Sequence, residues 1–516
     1  MCPPAADTTP ETGQQSAGGP GLIRSAGILG IGNIASRLIG LAREAVISGF
    51  FGASGELDAF RLASRVPTMI YDLLVGGMLS AALVPVFSEY TRPDRRSELA
   101  RVASAVLSLI ALAMSLIVLL VELFAGPLAG LLSDFANPEY ERVLRNCLRI
   151  IAPAVLLFGL TGGTTGLLYA LRRFDYTAVS GAVFNLGIVI LTPLLVSRFG
   201  IYVLPLGIAM GSLLQLAVVG WGARDLALRF STAWRHPAVR RIGRLYLPIA
   251  LGLIVTQIQI IVDGRWASAA GAQSVSWMGF ATNLIQLPLG LIPVAISLAA
   301  LPTLSQRAAE GDWDGFRSIF GRGMRLVLVL LLPAAVGLWA LAEPIIRLLF
   351  EHGNFVDADT VMTARALRFY LIGLPFAGVD FLLNYTFYAR QNTRTPAIVG
   401  VVSIGFYFLT ALLLKGPMGF LGLVLADSAK QAAHAVIMTT LLLYSVGRLH
   451  RQGVLRTLTA GGGVAVAMGA GVWAIAQVLT PLLPGGKVGA LVIVAVAGVA
   501  GAVFYLAMLR WLRVGE

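Results

Sequence analysis

Lysine is almost missing from this chain: of its 39 basic residues, only Lys415, Lys430 and Lys487 are not arginine. Charge of either sign is sparse, 13% against 57% hydrophobic residues, which excludes an ordinary soluble globular protein. The four histidines, His236, His352, His434 and His450, are scattered and offer neither a metal site nor a nucleophile–base pair. Cys2 and Cys147 match no ligand or disulfide spacing. A Gly-rich phosphate loop ending in Lys-Ser or Lys-Thr is absent, which speaks against nucleotide hydrolysis. Residues 1–20 contain no basic residue and no apolar run, so they read as a disordered tail and leave insertion to the first membrane helix. The formal net charge of +13 would suit nucleic acid only if the bases shared a solvated face. They sit instead in short gaps between apolar segments, so nucleic acid is not an expected partner.

Long apolar runs are what the chain does have. They recur at roughly 22–50, 58–90, 100–132, 143–171, 177–197, 203–228, 242–268, 274–305, 316–342, 360–389, 396–414, 420–447, 455–480 and 487–511. The reading is an all-α polytopic membrane protein of about fourteen transmembrane helices. The connections alternate in basicity. Arg92, Arg95, Arg96, Arg172, Arg173, the Arg229–Arg244 group, Arg307, Arg390, Arg394, Arg448 and Arg510 fall on one side, and little beyond Arg198, Arg347, Lys415 and Lys487 on the other. The positive-inside rule makes the first side cytoplasmic, and an even helix count puts both termini there.

An internal repeat sets the domain plan. Leu148-Arg149, Gly159, Tyr169-Ala170 and Ala178 return 219 residues later as Leu367-Arg368, Gly378, Tyr388-Ala389 and Ala397. Six spans separate the copies, so both have one orientation, which predicts two parallel six-helix lobes with substrate between them. The expected domains are a tail (1–20), an N-lobe (21–228), an amphipathic cytoplasmic linker (229–241), a C-lobe (242–447) and two extra helices (448–516), nearly free of charge within their spans.

Ions at membrane depth mark a pathway or glue helices together. Arg37, Gly40 and Glu44 share one side of the first helix, with Arg43 beside them; Asp58, Arg61, Arg65 and Asp72 share one side of the second. Asp58 and Arg61 stand near a helix end and are expected to pair. Arg37 and Arg43 have only Glu44 nearby, which leaves positive charge seeking an anion. Arginine's planar fork suits phosphate, although a GC-rich genome gives the same residue bias. Further candidates are Asp263, Arg265, Asn283, Gln286, Asp380 and Asn384, with Asp427, Lys430 and His434 as a stripe in which the first two could neutralise each other. Asp263, in a run of Ile and Val, is a candidate ion or proton site. Glycines Gly27, Gly30, Gly32, Gly162 and Gly163 follow no strand and read as helix packing.

Certain strings are more specific. Ser36-Arg37-Leu38-Ile39-Gly40-Leu41-Ala42-Arg43-Glu44-Ala45, Asp58-Ala59-Phe60, Ser274-Val275-Ser276-Trp277, Phe350-Glu351-His352-Gly353-Asn354-Phe355 and Tyr388-Ala389-Arg390-Gln391-Asn392-Thr393-Arg394-Thr395-Pro396 resemble the MurJ (MviN) lipid II flippases over about residues 21–511. The resemblance implies the fold of the multidrug/oligosaccharidyl-lipid/polysaccharide exporters. It also implies a non-enzymatic function: moving an undecaprenyl-diphosphate-linked peptidoglycan precursor to the outer leaflet by alternating access. Essential cations of the family match Arg37 and Arg43, its neighbouring acid Glu44, and the acid opening helix two Asp58. The last two helices match the groove for the polyprenyl tail. Family arginines fall at or beside Tyr71 and Asp72, and at Asn283, where this chain is not basic. Either Arg61, Arg65 and Arg265 supply that charge, or the cargo is a related lipid-linked anion. Some members hold sodium on helix eleven, yet residues 396–414 contain no Asp, Glu or Asn. The expected substrate site is therefore Arg37, Arg43, Glu44, Asp58, Arg61, Arg65, Asp263, Arg265 and Asn283. No cofactor or metal is expected, coupling to the membrane potential or an ion stays open, and partners are lipid II or a relative, membrane lipids and cell-wall synthesis proteins. A flippase for another polyprenyl-diphosphate saccharide and a non-transporting scaffold are the alternatives.

Overall fold

The computed structural model describes residues 20–74, 78–447 and 452–512. In order the helices are α1 (Pro20–Phe51), α2 (Gly55–Leu74), α3 (Met78–Ser88), α4 (Arg96–Leu123), α5 (Ala125–Leu132), α6 (Pro138–Ala170), α7 (Phe174–Phe199), α8 (Val203–Gly222), α9 (Pro237–Ala269) and α10 (Ser274–Glu310). Then come α11 (Trp313–Ala340), α12 (Ala342–Phe350), α13 (Asp357–Ala389), α14 (Arg394–Met418), α15 (Phe420–Val446), α16 (Val454–Leu479, opening with one π turn) and α17 (Lys487–Trp511). Among the described residues there is no strand. The fourteen apolar stretches each fall on one helix or on a consecutive pair. Among the described residues, nine helical stretches could cross a membrane by length and hydropathy alone.

Local chemistry sets the ends. Asn137 caps α6 by accepting from the Glu139 N–H, with Pro138 in the first turn, and Asp312 caps α11 by accepting from the Gly315 N–H. The breaks between α4 and α5 and between α11 and α12 have one cause: Pro127 and Pro344 stand in the first turn after each break, where a proline has no N–H to give the preceding turn. α9 begins at Pro237, inside the segment expected as the 229–241 linker. The stretch before it is docked, because the Arg229 and Ser231 N–H groups donate to the hydroxyls of Ser104 and Ser108 on α4.

The 219-residue interval reappears in the backbone. Arg172 (φ 58°) and Gln391 (φ 56°) take left-handed conformations at matching positions, as do Gly200 (φ 53°) and Gly419 (φ 56°). The two glycines terminate α7 and α14, giving their N–H groups to Val196 O and Lys415 O, at a turn that a side chain would strain.

Apolar packing is asymmetric along the molecule. Near the arginine-rich connections the halves keep separate cores, one around Leu83, Phe87, Val102, Leu168 and Val219, the other around Leu304, Phe316, Phe320, Leu382 and Phe387. At the opposite end one core is shared: Leu57, Phe60 and Ile151 of the first half pack with Phe280, Phe350 and Phe355 of the second. The halves therefore close together on one side only. α16 and α17 form a fourth core with Ala340 and Leu341 through Met468, Val472 and Ala497. Large apolar side chains stay exposed around the outside, such as Leu123, Leu194 and Leu413 at 67% each, which is the surface a hydrocarbon solvent demands.

Candidate functional site

Between the halves lies a cavity of about 420 Å³. α1 contributes Arg37, Gly40 and Arg43, α2 contributes Tyr71 and Asp72, α7 contributes Asn185, and α10 contributes Asn283 and Gln286. The helical spacing of Arg37, Gly40 and Arg43 turns them to one side, and Gly40 leaves the wall open between the cations.

The cations have little to balance them. Glu44 is 2% exposed and takes Arg43 Nη2 on one oxygen at 2.8 Å and Arg61 Nη2 on the other at 2.7 Å. Arg43 also donates to Asn185 Oδ1 at 2.9 Å, and Arg61 lies over the Phe280 ring with its centre 4.5 Å from the centroid. Arg37 donates to the backbone carbonyl of Gln286 at 2.6 Å, a dipole and not a charge. So two of the three guanidiniums share one buried carboxylate and the third meets only a carbonyl, with Asp72 on the far wall. The Nε donors of Arg37, Arg43 and Arg61 are buried and find no acceptor among the described residues. Buried donors are costly to leave unmade, and three beside one cavity are what an anion or its water would satisfy.

Three guanidiniums also sit against glycines of the other half. A Cβ at Gly279 would lie 2.7 Å from Arg61 Nη1, one at Gly264 would run into Arg65, and one at Gly290 would run into Arg37. The sequence reading misses these seats, since a glycine's value there depends on a partner in the other half of the chain.

The expected site residues do not all converge. Arg37, Arg43 and Asn283 line the cavity, and Glu44 and Arg61 lie directly behind it. Asp58 does not pair with Arg61: it is fully buried, and its Oδ1 accepts the N–H and the hydroxyl of Ser276 at 2.7 and 2.5 Å. It belongs to the seal. Arg65 donates to Ile260 O at 2.8 Å and stands 3.7 Å from Asp263, which accepts the Tyr407 hydroxyl at 2.6 Å. Arg265 stands apart, bonded to the Gly130 carbonyl and 3.6 Å from Asp134. It joins the halves at their closed end and adds no charge to the cavity, because α9 carries it a turn beyond the arginine cluster. Asp427 and Lys430 do neutralise each other, at 2.8 Å.

The closed end has a second fastening. The Asn354 N–H donates to Gly49 O at 2.9 Å and its side chain to Phe50 O at 2.6 Å, tying the 351–356 connection to the end of α1. Gly52 (φ 59°) and Gly353 (φ 60°) both take left-handed turns here, and a Cβ on either would strike the facing backbone.

The family model described as "Lipid II flippase MurJ" matches residues 47–493. The chain belongs to the MurJ family. Among curated members it is 30% identical to a probable lipid II flippase MurJ of Bdellovibrio bacteriovorus over 460 residues, 87% of this chain and 88% of that one. Identity to the Vibrio cholerae protein described in the same words is 28% over 516 residues, 96% of each chain. A lipid II flippase MurJ of Burkholderia cenocepacia is 31% identical over 395 residues, 73% of this chain and 74% of that one. A solved structure titled "Lipid II flippase MurJ, inward closed conformation" superposes with a TM-score of 0.80 at 24% identity, covering 94% of this chain and 99% of that one. An inward-facing multidrug transporter of the MATE family gives 0.68 at 14%, covering 81% and 96%. These two likenesses concern the fold. Family membership makes this a multi-pass membrane transporter, and the matched span includes Asp58, Arg61, Arg65, Asp263, Arg265 and Asn283 while beginning just after Glu44.

Proposed function

We propose that this protein moves lipid II, an undecaprenyl-diphosphate-linked peptidoglycan precursor, from the cytoplasmic to the outer leaflet of a bacterial plasma membrane. The observation that carries the reading is the cavity and the wall behind it: three guanidiniums with three unmet Nε donors against two carboxylates, Glu44 and Asp72, between two halves that join at one end only. Arg37 and Arg43 bind the diphosphate by charge-assisted hydrogen bonds, Glu44 orients Arg43 and Arg61, and the Asp58–Ser276 contact gates release. The polyprenyl tail stays in lipid along α16 and α17, since each methylene drawn into water costs about 0.8 kcal/mol. No covalent chemistry is involved, so the protein is a carrier and not an enzyme.

The parallel repeat supports two lobes, α1–α8 and α9–α15, that rock about their shared core. The joined end lies among the arginine-poor connections, which supports a cytoplasm-facing cavity and cytoplasmic termini. Outward movement of about two negative charges is favoured by an inside-negative potential, at roughly 2.3 kcal/mol per charge per 100 mV. Proteins of cell-wall synthesis are the natural neighbours of such a carrier.

The decisive experiment is head-group exposure in proteoliposomes, comparing wild type with Arg37→Ala/Arg43→Ala at equal folded protein. Loss of exposure is expected; retained exposure would leave a scaffold as the better reading. A related cargo is the second reading, favoured because Asp72 and Asn283, neither basic, line the cavity. Native mass spectrometry with lipid II against other polyprenyl diphosphates separates the two.

A further inference from the structure

The C-terminal half holds a second cavity, of about 460 Å³, that the diphosphate reading does not use. It is lined by Asp380 and Asn384 of α13, Ser403 of α14, Lys430 and His434 of α15, and Gln259 of α9. Its wall contains a carboxylate–imidazole contact. His434 Nδ1 lies 2.5 Å from Asp380 Oδ1, with the side chains 11% and 18% exposed. Asn384 Nδ2 donates to the other oxygen, Asp380 Oδ2, at 2.9 Å and fixes the carboxylate's orientation. The far nitrogen of the ring, Nε2, faces Gly400 of α14, where a Cβ would stand 4.0 Å away.

We propose that the Asp380–His434 pair is a proton-binding site that loads and releases one proton per transport cycle. The inference rests on the carrier reading for its coupling, but not for the site. The donor set selects the ligand. A single carboxylate among neutral amides and hydroxyls leaves a cation facing the Lys430 ammonium in the same cavity, and no group of three His, Cys, Asp or Glu occurs among the described residues. A proton needs only the pair: it binds at the imidazole, whose positive charge the Asp380 carboxylate balances, and it leaves to water in the cavity. The cavity reaches Thr393 and Tyr388, where α13 gives way to α14 on the arginine-rich side. In this closed-outside arrangement the proton departs toward the cytoplasm.

A path of charges connects the site to the lobe interface. Tyr388 lines the same cavity as Asp380, and Lys430 stands one turn before His434 on α15, held by Asp427 at 2.8 Å. Beyond them Asp263 of α9, bonded to Tyr407 of α14, sits 3.7 Å from Arg65 of the N-terminal half. A protonated His434 is a like charge four residues from Lys430, which drives the ammonium toward Asp427 and Asp263. Asp263 is then compensated within its own half, and Arg65 loses its counter-ion. Proton loading thus loosens one contact across the lobes.

Two measurements test this in the full-length protein in phosphatidylethanolamine/phosphatidylglycerol vesicles. The first is cargo-free infrared titration. Wild type should show carboxylate and imidazole bands that change together as the pH is varied, a coupling that Asp380→Asn and His434→Gln each abolish. An unchanged titration in both variants overturns the site. The second is the steady-state leaflet distribution of a short-chain fluorescent polyprenyl-diphosphate disaccharide under an outside-acid gradient. One coupled proton shifts that distribution about tenfold per pH unit in wild type and leaves it unmoved in Asp380→Asn/His434→Gln, which still binds the head group. A wild type indifferent to the gradient overturns the coupling, as does a variant that responds like wild type. If wild type moves no lipid at all, the carrier reading fails, and the infrared result still decides the site. Asp380→Glu should restore both signals, which a purely packing role would not require.

Discussion

Asp58 and Ser276, 218 residues apart, are joined twice: one carboxylate oxygen of Asp58 accepts both the backbone N–H and the hydroxyl of Ser276. The first helical turn of α10 thus presents its N-terminal dipole and two donors to a fully buried acid of α2. Breaking this contact should weaken the closed end more than it weakens the fold. Asp58→Asn is expected to cost about 1–3 kcal/mol of the closed arrangement, read as a broadened, longer spin-label distance between Glu139 and Ala270. An unchanged distance distribution would remove Asp58 from the seal.

Glu44 is the only carboxylate bonded to Arg43 and Arg61 among the described residues, so its neutral isostere leaves those cations facing one another. Glu44→Gln should lower thermal stability by about 3 kcal/mol, the usual cost of uncoupling a buried ion pair. Scanning calorimetry in detergent reads it, and added polyprenyl diphosphate should recover part of the loss.

Gly279→Ala tests the arginine seats without changing any charge. Its methyl would come within 2.7 Å of Arg61 Nη1 and push that guanidinium off Glu44 and Phe280. Affinity for a soluble diphosphate analogue should fall about tenfold, equivalent to 1.4 kcal/mol, with the helical circular dichroism retained. Gly243→Ala, where a Cβ would have open space, is the control and should bind like wild type.

Acid should loosen the base of the N-terminal half. In the connection after α8, Asp225 accepts from Arg173 at 2.5 and 2.8 Å and from Arg96 at 2.7 Å, and the Arg173 hydrogen bonds hold its carboxyl below the ordinary range. A depressed folded-state pKa contributes stability above the unfolded value and loses it as pH falls through the folded one. At this exposed site the contribution is about 0.5 kcal/mol after screening. The melting temperatures of wild type and Asp225→Asn should differ at neutral pH and converge below about pH 4.

Much of this was legible in the residues. The charges on α1 and α2 announce themselves because an apolar helix has little other use for them, and periodicity alone places Arg37, Gly40 and Glu44 on one side. Apolar runs gave the elements, and the 219-residue echo found the repeat. What stayed hidden is long-range. Nothing near Asp58 signals Ser276, and Arg61 beside it in sequence looked the nearer partner until Glu44 of α1 proved to hold it. Arg265 reads like its neighbours, but its position on α9 decides its partner, the α5 end. The paired breaks at Phe124 and Leu341 follow from Pro127 and Pro344, whose signal is masked by the unbroken apolar runs around them.

The terminal pair α16 and α17 packs on α11 and α12, with the Tyr505 hydroxyl donating to Val329 O at 2.9 Å. These two helices are therefore passengers of one partner in the rocking pair. An acyl chain lying along them would swing with that partner while its charged end is gripped by arginines belonging to the other. The cargo would be stretched between two bodies in relative motion, and its length would limit how far they can part.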